Sequence, residues 1–174
     1  PHAYPYDLKA GDINEVRRLI DQYEMPVYGY TPEHNAYPFN YMIGSEAQRE
    51  DAVAYLKTAI DMAKEMGSDF VLTSPANGGY LATYGELWTR LEKTIRELGD
   101  YAAKKEIHLV VEALTPYESN FFTRANDLVE LFRRVDNPYV VGMCDVVPPF
   151  VQHESIMAYF DKLGSKMHHM HIID

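Results

Sequence analysis

Three short apolar runs of β-type residues each end in side chains that can hold a cation or move a proton. Residues 109–120 (LVVEALTPYESN) carry Glu112 and, six positions later, Glu118; residues 139–145 (YVVGMCD) stop at Asp145; residues 167–174 (MHHMHIID) carry His169 and His171 and stop at Asp174. Side chains alternate between the two faces of a strand, so Val110 shares a face with Glu112, Met143 with Asp145 and His169 with His171. The intervening Val111, Cys144 and Met170 then face the other way, toward helices. In a parallel α/β barrel, the inward positions at the carboxyl ends of the strands converge on one opening. Glu112, Asp145 and His171 would meet there, spaced by about thirty residues, the usual repeat of a β/α unit. Two carboxylates and an imidazole suit one divalent metal ion, without deciding among Mn, Co, Mg, Ni and Zn. Taken alone, Glu112 and Glu118 could also be an acid/base pair.

One acid after a strand is more often a helix cap or a solvated loop residue. What sets this trio apart is its recurrence at three successive strand ends. His108 and His168 have no such pattern and read as surface or core fillers.

The elements that must position these groups follow from periodicity. Helices are expected where apolar residues recur every three to four positions. One follows the loop-like stretch 1–7, with Ile13, Val16, Leu19, Ile20 and Tyr23 on its apolar stripe. A second is capped by Ser45 with Gln48 and stopped by Gly67, and a third covers 87–105. A fourth covers about 123–135, burying Ala125, Leu128, Val129, Leu131 and Phe132, and a fifth lies around 154–163. Strands are expected at 25–30, 69–74, 107–112, 139–145 and from 167 onward. No hairpin signal joins any two of them, so the alternation means parallel β/α units. The aperiodic, aromatic-rich stretch 31–44 is a candidate pocket wall. Gly78-Gly79 is too weak a signal for a phosphate cradle.

Composition bounds the function. With 174 residues, 47% of them hydrophobic and 24% charged, the chain is expected to be a soluble globular protein with one domain over 1–174. A formal net charge of −10 disfavours nucleic acid, whose phosphates need Lys and Arg. Cys144 is the single cysteine, so no intramolecular disulfide is possible, and no run of about 18 apolar residues suggests a membrane span. The expected compartment is the cytoplasm. A chain that opens at Pro1 and closes on an apolar strand pattern reads as part of a longer polypeptide.

The segments Glu112-Ala-Leu-Thr-Pro-Tyr-Glu118-Ser-Asn, Met143-Cys-Asp145, Tyr159-Phe-Asp-Lys-Leu-Gly164 and His169-Met-His171-Ile-Ile-Asp174 resemble the sugar-phosphate isomerase/epimerase superfamily of xylose isomerase-like TIM barrels. The likeness runs along nearly the whole chain and includes Gly29-Tyr-Thr-Pro-Glu33 and Asp61-Met-Ala-Lys-Glu-Met66. It implies an α/β fold, a (β/α)8 TIM barrel present here as an incomplete portion of about strands 3 to 7, lacking the first two strands and the last. A complete barrel takes about 250 residues.

The resemblance also implies an isomerase that epimerises C3 of a ketoamine such as fructoselysine, or another sugar of that class, by proton transfer. One divalent metal ion would be held by Glu112, Asp145, His171 and a second Glu on the last strand, outside this chain. Glu112 would be metal ligand and acid/base together, with the absent Glu as its partner on the opposite face. Glu118 and His169 would contact substrate. A substrate-binding His often follows the Asp ligand by three residues, and here Pro148 stands at that place, which fits a ligand other than a free ketose. A homo-oligomer is compatible with the family. The rival readings are an endonuclease IV-like nuclease, against which the charge speaks, and a non-catalytic sugar-binding barrel.

Overall fold

The computed structural model describes residues 2–3, 5, 10–36 and 38–173. Six parallel strands form one sheet: β1 (His2–Ala3), β2 (Gly29–Pro32), β3 (Phe70–Thr73), β4 (His108–Val111), β5 (Val140–Asp145) and β6 (Met167–His171). Between them run α1 (Ala10–Tyr23), α2 (Glu46–Met66), α3 (Tyr84–Lys105), α4 (Ala125–Val135), α5 (Val147–Val151) and α6 (Met157–Leu163). Spatial order equals sequence order. That is the arrangement of an arc of a β/α barrel, and it brings all the carboxyl strand ends to one edge.

Both faces of the sheet are apolar, as buried parallel strands require. Val71, Leu109, Val111, Val140 and Cys144 pack with Leu56, Ile60, Leu91, Ile95, Leu98, Leu128 and Leu131 of the helices. Phe70, Leu72, Val110, Val141 and Met143 form a separate cluster on the concave face. The alternation expected from sequence therefore holds, with Glu112 and Asp145 continuing the concave rows.

Helix ends follow local chemistry. Ser45 and Gln48 form the expected capping box, and Gly67 takes a left-handed φ of 75° that closes α2. In α3 the box is Thr83 with Glu86, so the helix begins at Tyr84, three residues before the expected start at Leu87.

Four expectations need correction. There are six strands among the described residues, not five: β1 falls in the stretch read as a loop, most of which lies outside the described residues, as does Asp174. The strand expected at 25–30 lies at Gly29–Pro32, because Pro26 has no N–H to give to a ladder and a side chain at Gly29 would collide with the Phe70 ring. The helix expected around 154–163 is α6 alone, shortened to Met157–Leu163, and a further short helix, α5, precedes it at Val147–Val151. α5 is started by Pro148-Pro149, and His153, at a left-handed φ of 56°, breaks the chain before α6. Finally, Val129 is exposed rather than buried, because α4 turns Ala125, Leu128, Leu131 and Val135 inward; on α1 the stripe packs through Ile13 and Val16 and leaves Leu19 and Tyr23 exposed. Among the described residues no helix is long and apolar enough to cross a membrane.

Candidate metal and substrate site

Glu112 follows β4 directly, and its backbone N–H donates to Thr73 O at 3.0 Å, which extends the ladder to the last residue before the turn. Its residue exposure is 9%. Asp145 ends β5 and is the register partner of His171 on β6. One Asp145 oxygen, Oδ1, accepts the Val147 N–H at 2.7 Å at the start of α5. The other, Oδ2, lies 3.5 Å from His171 Nδ1, and Glu112 Oε1 lies 3.5 Å from the same nitrogen. All three side chains thus offer donor atoms within 4.8 Å of one another.

The electrostatics are those of a cation site. Among the described residues, the partner ionised or imidazole group at both carboxylates is His171 alone, with no Lys or Arg beside them. The Glu112 carboxylate, helped by Asp145 and opposed by burial, raises the His171 pKa above its ordinary value. The two carboxylates thus face one imidazole and no fixed cation, and the donor set fits a divalent ion.

Glu118 lies on the wall of the same cavity, of about 430 Å³, with Glu112, Asp145, Asn35, Tyr117 and Pro148. Its Oε2 accepts from Thr115 N–H at 3.1 Å and from Thr115 Oγ1 at 2.6 Å, so the carboxylate is held in place by its own turn. His169 sits deeper, with its ring centroid 4.7 Å from Phe70 and 5.0 Å, edge-on, from His171. Burial lowers its pKa, and His171 and His168 add to the effect, favouring the neutral ring.

Asn35, inside the aperiodic stretch 31–44, is a wall residue that no spacing in the sequence singles out. It is oriented from behind: Ser74 Oγ donates to Asn35 Oδ1 at 2.8 Å, and the Ser74 N–H donates to His34 Nε2 at 3.3 Å. His34 is buried, lies over Tyr41, and has its pKa pushed down to about 4 by desolvation. Its neutrality is what lets Nε2 accept.

Two other sequence features take structural roles. The Gly78 N–H donates to Asn120 Oδ1 at 2.9 Å, and Asn120 Nδ2 donates to Gly79 O at 2.7 Å, so that turn is latched to the loop after β4. Burial pushes the Cys144 thiol up to about 11, which removes it as a nucleophile at neutral pH.

His108 and His168, read from sequence as fillers, come together with Asp69 at the opposite, amino-terminal end of the sheet. The cause is a β-bulge. Gly142 pairs with Met167 and Met143 with His169, so His168 is the extra residue on β6. Met167 packs on the helix side, whereas the rings of both His168 and His169 lie against Phe70.

Known proteins match this chain closely. The family model described as xylose isomerase-like TIM barrel matches residues 1–174. A fructoselysine 3-epimerase of Shigella flexneri is 46% identical over 174 residues, 100% of this chain and 63% of that protein. The chain thus spans a little under two thirds of the length of that curated relative. Among solved structures, the apo form of a 3-keto-D-glucoside 4-epimerase from E. coli superposes with a TM-score of 0.85 at 16% identity, covering 94% of this chain and 65% of that one. A D-psicose 3-epimerase with D-tagatose from Clostridium cellulolyticum gives a TM-score of 0.82 at 19% identity, covering 97% and 60%. At these identities the two structures speak for the fold.

Proposed function

The chain belongs to the xylose isomerase-like TIM barrel family, and on that premise we propose that it forms the larger part of a metal-dependent sugar 3-epimerase acting on a ketoamine such as fructoselysine. The observation that carries this reading is the convergence of Glu112, Asp145 and His171 within 4.8 Å at the carboxyl edge of the sheet. The 46% identity to a fructoselysine 3-epimerase supports the substrate class.

Glu112, Asp145 and His171 would hold the ion. The chemistry such an ion would supply is an electrophile for the ketone oxygen, which would make the neighbouring C–H more acidic. Glu112, nearly buried at the cavity wall, takes that proton as general base. Inversion requires a second acid on the opposite face of the substrate, which in this reading comes from the part of the whole protein beyond these residues. Glu118, fixed by Thr115, accepts from a substrate hydroxyl, and Asn35 lines the wall beside it. His169 stands edge-on to His171 at 5.0 Å, behind the residues that line the cavity, and would meet substrate from the concave face. Pro148 offers no side-chain hydrogen bond at the cavity wall, which suits a ligand other than a free ketose.

The test is hydrogen exchange at C3 in the whole protein. Wild type with metal is expected to wash deuterium from solvent into the ketoamine, and Glu112→Gln to slow this by about 10²–10⁴-fold. Undiminished exchange in that variant would contradict the assignment.

A further inference from the structure

At the amino-terminal end of the sheet, opposite the edge that carries the cavity, Asp69 Oδ2 lies 2.6 Å from His168 Nε2 and Asp69 Oδ1 lies 3.5 Å from His108 Nδ1. The two imidazole centroids are 4.3 Å apart, and donor atoms of all three groups fall within 4.8 Å of one another. Ligands on a tetrahedral ion with bonds of about 2.0 Å are about 3.3 Å apart, so the cluster closes on an ion with small side-chain movements. His108 Nδ1 is buried and has no hydrogen-bond partner. A buried polar atom without a partner costs about 1–3 kcal/mol unless something else satisfies it. Among the described residues no Lys or Arg pairs with Asp69, so its charge is met by imidazoles alone.

We propose that Asp69, His108 and His168 form a second metal site, selective for borderline ions of the zinc class, that ties β3, β4 and β6 together at the floor of the sheet. Two imidazoles and one carboxylate favour Zn, Co or Ni over Mg, whereas the two-carboxylate set at the other end is the harder site. The bulge at His168 is what makes the set possible, because without it consecutive histidines would point to opposite faces. The Tyr139 ring, stacked on His108 at 5.4 Å, holds that imidazole in position. The role is structural: an ion here joins residues 99 positions apart in sequence.

The experiment follows the ring-nitrogen NMR signals of His108, His168 and His171 separately while Zn²⁺ or Mg²⁺ is added to the metal-free protein. His108 and His168 are expected to shift together with Zn²⁺ and to stay unchanged with Mg²⁺. Asp69→Asn should weaken the Zn²⁺ affinity of that pair at least tenfold and leave the His171 response as in wild type. Asp69 has a side-chain exposure of 56%, so this isosteric change keeps the fold. Zinc-insensitive signals at His108 and His168 in wild type, or a loss below tenfold in Asp69→Asn, would overturn the proposal. Because His171 is read separately, failure at one end of the sheet is distinguishable from failure at the other.

Discussion

At the carboxyl end of the sheet two carboxylates share one imidazole, and at the amino end two imidazoles share one carboxylate. Both clusters are built on β4 and β6 with a third residue from a neighbouring strand, and Phe70 stands between them, 4.7 Å from the His169 ring and 5.8 Å from the His168 ring. They differ in what surrounds them. Glu112 and Asp145 open on a cavity of about 430 Å³ with a fixed carboxylate and an amide on its wall. Asp69, His108 and His168 are backed by Tyr139 and Phe70 rings and by the sheet edge. A donor set becomes a candidate for chemistry when space for a substrate lies beside it; without that space it can only hold the fold together.

The comparison can be broken most sharply at the carboxyl end. Asp145→Asn retains an oxygen for the Val147 N–H and so preserves the start of α5, but it removes a charged donor. Metal affinity measured by calorimetry should fall on the order of 1,000-fold, beyond the ~10–100-fold typical of losing an outer hydrogen-bond partner. An unchanged affinity would remove Asp145 from the site.

A second effect concerns the support behind the cavity. His34 has a folded pKa of about 4 against an ordinary value of 6.5, so the unfolded chain binds its proton first as pH falls. Stability from this group is complete above pH 6.5 and is lost as pH falls toward 4, by an amount on the order of 3 kcal/mol. Denaturant unfolding at stepped pH should show that slope in wild type and lose it in His34→Gln, which retains an acceptor for Ser74.

The partition between the two ends is open to a smaller perturbation. A methyl group at Gly29 would press on the Phe70 ring, so Gly29→Ala should cost about 1–3 kcal/mol by overpacking and shift the His168 and His169 ring signals together. Shifts at only one of the two would show that Phe70 does not separate the clusters.

The gentlest probe is pH at His171. Its folded pKa is raised, so in the metal-free protein its contribution to stability is present below 6.5 and is lost as pH rises through the folded value. Metal binding requires the neutral ring, so below that raised pKa affinity should drop by up to about tenfold per pH unit. Metal titrations across this range check the sign: an affinity that rises on acidification would exclude His171 as a ligand.

The same contrast explains what could be read from the sequence. Glu112, Asp145 and His171 are legible because alternation at the carboxyl ends of three strands places them on one face, and three repeats of one pattern outweigh any single acid. The Ser45–Gln48 box is legible from its own i,i+3 spacing, and the Thr83–Glu86 box has the same spacing three residues ahead of the apolar period that begins at Leu87. The cluster at the other end was not legible. It depends on one extra residue in β6, and nothing in the period of MHHMH says where the ladder slips. Asn35 was hidden differently: its position comes from a chain of contacts through Ser74 and His34 that joins residues about 40 apart. Exposure on α1 and α4 is not legible, because periodicity reports the angular width of an apolar stripe and not how much of it a neighbour covers.

The most direct test of the account is to locate the ion. Crystals grown with Mn²⁺ and measured on both sides of the manganese absorption edge should show an anomalous peak within about 2.0–2.6 Å of Glu112, Asp145 and His171. Manganese found only beside Asp69, or no peak at the carboxyl end at all, would contradict the claim that these three residues form the metal centre.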